Sequence, residues 1–399
     1  MTPDDARNGD TRSPVSRDPA PPPADPRIAP LLRTLDVLGA AARHLDPSIL
    51  EFLGQAVEAP AAALRQVVDH PNDAAGAAAD AEREPGTERE PEPGPEREAD
   101  AGPALDAACR MALAACDDLR VACLHDDLRA AYRALRAVAA VEEQIYPLCP
   151  WNATVSRHFL PVALRDDAAA RVRASVAAQP GRTGLLHVSS TRGTRGGFSM
   201  YVPEHYTPER RWPLVVALHG GGGHGRDFLW QWLKDARGRG AIVVAPTSSG
   251  RTWPLQEEDR DTPRLLELVD QVRSGWSIDP RRVLLTGMSD GGTFAYLAGL
   301  QTDAPFTHLA PVSSAFHPIL VEVAEPDRLR GLPIFVAHGA LDWMFPVEMA
   351  RSAATLLSAA GAAVRYREVA DLGHCHPVER VGEILHWLQG DPTDQSMRG

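Results

Sequence analysis

From about Gly184 onward, short apolar runs alternate with longer amphipathic stretches, and this alternation constrains the fold more than any other feature of the chain. Most of the runs consist of consecutive Val, Leu, Ile and Ala residues, which is typical of strands buried on both faces. The stretches between them carry apolar residues at helical spacing. Strands separated by helices predict a mostly parallel sheet with helices on both faces. The predicted strands are 185–189, 197–202, 214–218, 241–245, 283–285, 308–312, 334–337 and 364–369.

The chain before this region has a different composition. It begins with a stretch rich in Pro, Asp and Arg, continues with Leu residues at helical spacing, and then enters near-repeats of Glu-Arg-Glu-Pro that cannot bury enough apolar surface to fold. Helical spacing then resumes. We therefore predict a disordered tail at 1–27, a helical segment at 28–70, an acidic disordered linker at 71–103, a helical and transitional segment at 104–180, a catalytic domain at 181–392 and a tail at 393–399.

The charge of the chain is concentrated in the predicted linker. The net charge is −12, and residues 71–103 contain ten acidic residues against three arginines, so the rest of the chain is only mildly acidic. Because no stripe of basic residues is present, we expect no nucleic-acid partner. No apolar run approaches the roughly 18 residues of a transmembrane helix, and residues 1–27 have no apolar signal-peptide core. We therefore expect a cytoplasmic protein without a transmembrane segment.

Five cysteines without a secretory signal argue against a disulfide framework. Cys109, Cys116 and Cys123 are spaced by seven residues, which raises the question of a metal site. Seven residues of helix rise roughly 10 Å, too far for neighbours to share one ion. Since leucine and alanine continue the same helical seam, we predict small core residues at these three positions.

The stretch from Val283 to Gly292 contains a strand pattern, the turn Gly-Met-Ser-Asp-Gly and the start of a helix pattern. This order is that of a nucleophile elbow, in which the central serine lies on a sharp, strained turn. The elbow needs small flanking residues because the neighbouring strand and helix crowd the serine, and Gly287 and Gly291 meet that need. By itself the pattern also fits an ordinary glycine-rich turn.

A serine hydroxyl is a weak nucleophile, so Ser289 needs a base, and the base needs an acid to orient it. In an open parallel sheet such groups lie just beyond the carboxyl ends of the strands. Asp342 follows the strand 334–337 and His374 follows the strand 364–369. The chain order Ser, Asp, His is the one that accompanies this elbow. We predict a catalytic triad of Ser289, Asp342 and His374.

Three alternatives stay open at this point. His376 lies two residues after His374 and could be the base instead. Asp371 could replace Asp342 if its loop folded back. His374, Cys375 and His376 could also hold a metal ion, although the sequence offers no second cluster of ligands. Our prediction is that the chain holds no metal.

The run His219-Gly220-Gly221-Gly222-Gly223 follows the strand 214–218. Glycines let backbone N–H groups approach a developing negative charge, so we expect an oxyanion-hole donor from Gly221 or Gly222. The second donor should be the amide of Asp290 at the start of the helix after the elbow, with its side chain capping or facing away. A phosphate-binding loop is disfavoured because the run lacks the ending Gly-Lys-Ser/Thr.

Four aromatic residues follow predicted strands and could line a substrate pocket, although each could equally be part of the local core. Phe316, Trp343 and Phe345 lie just beyond strand ends, and Trp253 lies in the loop after the strand 241–245.

Four sequence motifs, HGGGG, GMSDGG, HGALDWMFP and LGHCHP, together resemble those of α/β-hydrolases. In detail they resemble the phospholipase/carboxylesterase group, polyhydroxyalkanoate-depolymerase-like enzymes and feruloyl esterases, over about residues 184–390. The resemblance implies an α/β-hydrolase fold preceded by a helical N-terminal region. It assigns the nucleophile, acid and base to Ser289, Asp342 and His374, and to His219 the ordering of the oxyanion loop. It also implies hydrolysis of a small-molecule carboxylic ester through an acyl-enzyme, with no cofactor.

Several functions share these features. A thioesterase, a lactonase or a serine peptidase could use the same elbow, and a catalytically silent binding or scaffold protein could keep the fold. The N-terminal helices could be a lid, a surface for homo-oligomerisation or a brace, because each of these roles requires one buried helix face. The motifs do not specify the substrate or its acyl-chain length.

Overall fold

The computed structural model describes residues 25–70, 95–255 and 258–390. The predicted tail at 1–27 lies almost entirely outside these ranges, as do residues 71–94 of the predicted linker and the tail at 393–399. The division of the chain into domains therefore stays a prediction at these boundaries.

One eight-stranded sheet forms the centre of the molecule, with the strand order β1-β2-β4-β3-β5-β6-β7-β8. The six strands from β4 to β8 in this order are parallel, and β2 is antiparallel to both of its neighbours. The mostly parallel sheet predicted from the apolar runs is confirmed. Its strands are β1 Gly184–Val188, β2 Phe198–Val202, β3 Trp212–Leu218, β4 Ile242–Pro246, β5 Ile278–Met288, β6 His308–Val312, β7 Pro333–Gly339 and β8 Ala363–Val369.

Helices cover both faces of this sheet, and within the described residues seven of them precede its first strand. These seven are α1 Ile28–Arg43, α2 Leu50–Ala56, α3 Glu58–Asp69, α4 Pro95–Leu124, α5 Leu128–Ile145, α6 Ala153–His158 and α7 Ala168–Ala174. The helices between and after the strands are α8 Gly225–Phe228, α9 Trp230–Arg239, α10 Asp261–Gly275, α11 Asp290–Gly299, α12 Ile319–Val323, α13 Pro326–Leu329, α14 Val347–Ala359 and α15 Val381–Gln389.

Alternate residues along each strand belong to two separate apolar cores, because successive strand side chains point to opposite faces. On one face, Val215 and Ala217 of β3 pack in a core that includes α9, α15 and the N-terminal helices. On the other face, Leu214 and Val216 pack in a core with α10, α11 and α14. The N-terminal helices therefore form part of the helical layer that covers one face of the sheet.

The N-terminal helices differ in two details from the sequence expectation. Helix α4 begins at Pro95, inside the stretch 71–103 that was predicted to be disordered. The break that Pro60 predicts lies instead at Val57, and Pro60 sits in the first turn of α3. Proline is tolerated there because the amide it lacks would have no partner within the helix.

The seam of cysteines on α4 is buried, as predicted. Cys109, Cys116 and Cys123 are at most 6% exposed and pack among leucine and alanine side chains. All five cysteines are free. Within the described ranges, no helix combines the length and the apolar character needed to cross a bilayer. The cytoplasmic location stays a prediction.

Candidate active site

Ser289 lies on a sharp turn between β5 and α11. Its φ of +57° is in a region that non-glycine residues rarely adopt, and its amide donates to the carbonyl of Val312 on the neighbouring strand. The two flanking glycines are needed for this turn. A Cβ at Gly287 would overlap the backbone of Gly291, and a Cβ at Gly291 would overlap the carbonyl of Leu218. The predicted strand, elbow and helix are therefore present.

The side chains of Ser289, His374 and Asp342 form one chain of hydrogen bonds. The distance from His374 Nε2 to Ser289 Oγ is 3.0 Å, and His374 Nδ1 lies 2.9 and 3.0 Å from the two carboxylate oxygens of Asp342. All three residues are less than 8% exposed. In this geometry the imidazole can accept the serine proton while the carboxylate orients it.

The alternative acid and base are placed elsewhere. The Asp371 carboxylate is 68% exposed and pairs with Arg43 at 3.0 Å. The His376 ring packs against Phe228 and Trp232, and neither of its nitrogens has a hydrogen-bond partner among the residues described. No group of His, Cys, Asp and Glu within the described part of the chain could hold a metal ion.

The backbone and a second histidine fix the carboxylate of Asp342. Its Oδ1 accepts from the amides of Met344 at 2.9 Å and Phe345 at 2.8 Å, and His338 Nε2 lies 3.3 Å from Oδ2. Burial alone would raise the pKa of Asp342, but the hydrogen bonds from His374 and from the Phe345 amide outweigh it, so the pKa lies below its usual value. The acid is therefore held ionised beside the imidazole.

One oxyanion donor was expected from the glycine loop after β3, either Gly221 or Gly222. The amide of Gly222 donates to the carbonyl of Arg251 at 3.1 Å, so Gly222 is ruled out as that donor and Gly221 stays the candidate. A Cβ built on Gly220 would contact the Cβ of Ser289 at 3.4 Å, which places the loop against the nucleophile.

His219 fixes the peptide that carries the Gly221 amide. Its Nε2 accepts from the Ser248 amide at 3.1 Å, so the proton lies on Nδ1, which donates to the Gly220 carbonyl at 2.7 Å. The amide of Gly223 donates to the same carbonyl. Burial lowers the pKa of His219 to about 3, so the ring stays neutral. Two donors on this carbonyl polarise the peptide and strengthen its N–H as a donor.

Asp290 is the first residue of α11, so its amide has no partner within the helix and is available to an oxyanion. The side chain was expected to cap the helix or to face away, but it lies against the glycine loop. Its Oδ2 accepts from the Thr252 hydroxyl at 2.6 Å and lies only 2.6 Å from the position of a Cβ built on Gly221. Only glycine fits at that position without moving the carboxylate.

The four predicted pocket aromatics fall into two pairs. Phe345 and Trp343 are half-buried, with ring centroids 5.2 and 6.0 Å from that of His374. Trp253 is buried, stacks on Phe294 and donates to the His219 carbonyl at 2.7 Å. Phe316 is buried against Tyr296. The pocket assignment is therefore corrected for Trp253 and Phe316, which are packing residues.

Three residues near Ser289, His374 and Asp342 have no sequence signal of their own. His338 lies within the motif HGALDWMFP, and nothing in that motif indicates its contact with Asp342. Tyr132 and Arg136 on α5 contact the loops of His374 and of the glycine run, yet they lie in a region that shows no motif. Their helical spacing of four residues predicts a shared helix face, but not what that face contacts.

Part of the chain is similar to a known protein family. Residues 256–390 match the model of the phospholipase/carboxylesterase family. A bifunctional acetylxylan esterase/xylanase of Neocallimastix patriciarum is 28% identical over 38% of this chain and 22% of its own length. An acyl-protein thioesterase 1 of Gibberella zeae is 29% identical over 31% of this chain and 52% of its own. The chain thus spans only about a fifth of the length of the first relative and about half of the length of the second.

Among solved structures, a thermostable esterase superposes with a TM-score of 0.43 at 23% identity, over 51% of this chain and 61% of its own. The resemblance to the phospholipase/carboxylesterase family and the α/β-hydrolase fold are confirmed by the family match and the sheet. The predicted enzyme class, an ester hydrolase, agrees with the name of that family.

Proposed function

We propose that this protein is a serine hydrolase that cleaves carboxylic esters through an acyl-enzyme intermediate. The observation that carries the proposal is the hydrogen-bonded chain from Ser289 through His374 to Asp342, built on a strained elbow. Strained backbone at the serine costs stability. Packing alone gives no reason to keep that strain beside a buried, aligned chain of hydrogen bonds. The alternative of a silent scaffold protein is therefore disfavoured.

The reaction follows from the geometry. His374 Nε2 takes the Ser289 proton as Oγ attacks the ester carbonyl carbon, and the amides of Gly221 and Asp290 stabilise the resulting oxyanion. The imidazolium, held by Asp342, then donates its proton to the departing alcohol. Water attacks the acyl-enzyme in the second half-reaction, with His374 again acting as base. These steps require no metal or other cofactor.

The surroundings of His374 favour an apolar substituent on the substrate. Phe345 and Trp343 present aromatic surface beside the imidazole, and Leu341 and Met344 in the same loop are 60% and 44% exposed. Exposed apolar side chains in the loop that carries Asp342 provide contact area for an acyl chain or an aromatic group. We therefore propose small to medium acyl esters as substrates.

Thioester hydrolysis is the second candidate, because one matching relative is named acyl-protein thioesterase 1. A thioester passes through the same acyl-enzyme and differs in its leaving group. Cleavage of lactones or of aminoacyl amides would use the same residues. Acceptance of polysaccharide or protein substrates requires surfaces beyond the triad and is not part of the proposal.

A substrate panel tests the proposed function. The full-length protein and Ser289→Ala are assayed with p-nitrophenyl esters from acetate to laurate, with matched acyl thioesters and with aminoacyl p-nitroanilides. We expect kcat/KM to be highest for an ester of short or medium chain, and Ser289→Ala to be inactive. A higher kcat/KM for every thioester would favour the second candidate. Absence of Ser289-dependent hydrolysis throughout would overturn the proposal.

A further inference from the structure

We propose that helix α5 of the N-terminal region positions the two halves of the catalytic machinery through Tyr132 and Arg136. This inference rests on the proposed function, because it concerns the same site. It assigns the N-terminal helices the role of a brace, among the lid, oligomerisation and brace roles that the sequence left open.

Two side chains on one face of α5 contact the two loops. The Tyr132 hydroxyl donates to the backbone carbonyl of His374 at 3.2 Å. One turn later, Arg136 donates to the carbonyls of Gly222 at 2.9 Å and Gly221 at 3.3 Å. Residues four apart lie on the same side of a helix. One rigid element therefore holds both the base and the oxyanion loop.

The glycine loop needs such an external contact. Gly222 has a φ of +63°, and successive glycines leave the loop backbone more freedom than any other residue type would. His219 fixes the peptide before Gly221, and Arg136 fixes the peptides that follow it. The planar guanidinium can engage both carbonyls together, which a lysine ammonium cannot do in the same way. His219 and Arg136 therefore fix the loop backbone on the two sides of Gly221.

The other end of α5 is anchored in the hydrolase fold. Glu142 is 8% exposed and pairs with Lys234 of α9 at 2.9 Å, and the pKa of its carboxyl falls to about 2 because the nearby cations outweigh the effect of burial. Glu143 pairs with Arg192 at 2.8 Å and with Arg226 of α8. Breaking a buried pair leaves an uncompensated charge, which is strongly unfavourable. This end of the helix cannot shift without that cost.

A buried cluster of polar side chains around Glu204 lies at the C-terminal end of α5. The Tyr146 hydroxyl, just after the end of α5, donates to Glu204, which also accepts from Tyr201 at 2.7 Å. A lid must move as a unit away from the site, and these buried polar contacts would all have to open. The anchoring therefore favours a fixed brace over a mobile lid.

Helix α1 contacts the same His374 loop from its own end. Arg43 pairs with Asp371 at 3.0 Å and with Glu379 at 2.7 Å, on either side of His374. The Leu45 carbonyl, just after α1, accepts from Trp343 in the Asp342 loop. The N-terminal region thus contacts the loop on both sides of the base. Tyr132 and Arg136 act through the loops and not on the substrate, so they are positioning residues. Their loss should lower kcat more than it changes KM.

The experiment compares Arg136→Ala and Tyr132→Phe with a matched control, Arg133→Ala, in the full-length protein. The Arg133 side chain is exposed on the same helix and makes no hydrogen bond or ion pair within the described part of the chain. Steady-state kinetics on the best ester, the rate of fluorophosphonate labelling and the thermal midpoint are measured for each. Arg136→Lys and addition of free guanidinium ion to Arg136→Ala separate positioning from folding.

We expect Arg136→Ala to lower kcat about tenfold to a hundredfold with KM changed less than about threefold, since small displacements of catalytic groups have effects of this size. Tyr132→Phe should lower kcat less, Arg133→Ala should match the unmodified protein, and guanidinium should partly restore Arg136→Ala. Retained kcat in both Arg136→Ala and Tyr132→Phe would overturn the inference while leaving the proposed function intact. Absence of labelling in the unmodified protein would overturn both.

Discussion

Asp342 Oδ2 lies 2.9 Å from His374 Nδ1, and Oδ1 of the same carboxylate accepts two backbone amides. The carboxylate thereby fixes both the orientation of the imidazole and the position of its proton. In Asp342→Asn, the amide oxygen can keep the two backbone contacts, and the amide NH₂ then faces Nδ1 and favours the wrong tautomer.

We therefore expect Asp342→Asn to fold normally and to lose a factor of about 10³ to 10⁴ in kcat. Steady-state ester hydrolysis measures the loss, and circular dichroism checks the fold. Asp371→Asn is the control, because this exposed carboxylate was the rival candidate and pairs with Arg43 instead. A larger loss in Asp371→Asn than in Asp342→Asn would reverse the assignment of the acid.

Gly291→Ala should destabilise the protein, because the added Cβ would overlap the Leu218 carbonyl on the neighbouring strand. Overpacking against backbone typically costs about 1–3 kcal/mol, so we expect a loss of at least 2 kcal/mol in the free energy of unfolding. The control is Gly39→Ala on an exposed face of α1, where a Cβ meets nothing within 4 Å.

Alanine at position 39 should raise stability by about 0.5–1 kcal/mol through helix propensity. Urea unfolding of the two variants provides the comparison. Equal stability of the two would mean that the elbow is less crowded than the structure shows.

His376 should make the protein acid-sensitive. Burial lowers its pKa from 6.5 to about 3, so between these values the unfolded chain binds a proton that the folded chain does not. The His376 titration costs no stability above about pH 6.5, and it lowers the free energy of unfolding progressively as the pH falls from 6.5 toward 3. Replacing the ring by leucine removes both this titration and two nitrogens without partners among the described residues.

His376→Leu should therefore have a thermal midpoint that falls less steeply than that of the unmodified protein between pH 6.5 and 4. At pH 7 its stability should be unchanged or raised by about 1 kcal/mol, since unsatisfied buried polar atoms are costly. Thermal unfolding across this pH range measures both effects. A loss of more than about 2 kcal/mol at pH 7 would mean that the imidazole has a partner.

Arg237 links the N-terminal helices to the sheet. It is 1% exposed, lies 3.4 Å from Glu204, and donates to the carbonyls of Ser156 and Ala174 at the ends of α6 and α7. Arg237→Met leaves the Glu204 carboxylate buried without its cation, so we expect a loss of about 3–5 kcal/mol.

Arg330→Ala is the matched surface control, because its ion pair with Asp327 is 2.8 Å long but mostly exposed. Its removal should change stability by less than about 1 kcal/mol. Guanidinium unfolding monitored by tryptophan fluorescence distinguishes the two. Similar losses in both variants would contradict the anchoring of the N-terminal region by Arg237.

The strands and the proximity of Ser289, His374 and Asp342 could be predicted because their signals are local in the sequence. Continuous apolar runs such as Leu214 to Leu218 arise because both faces of a parallel strand are buried. Asp342 and His374 could be found because loops at the carboxyl ends of parallel strands converge on one edge. Chain order and strand position were enough for these residues.

Residues whose placement depends on tertiary packing could not be predicted from the sequence. A tryptophan in a loop, such as Trp253, can face the core or the cleft with the same sequence, and here it packs under the glycine loop. The choice between Gly221 and Gly222 depends on a backbone hydrogen bond to Arg251, which no motif encodes. The contacts of Tyr132 and Arg136 join segments 242 and about 86 residues apart.

The central claim, that Ser289 is the nucleophile, is tested most directly by intact-mass spectrometry after reaction with a fluorophosphonate. The unmodified protein should gain the mass of one phosphonyl group, with the modified peptide containing Ser289, and Ser289→Ala should gain none. Full labelling of Ser289→Ala, or a modified peptide without Ser289, would contradict the account.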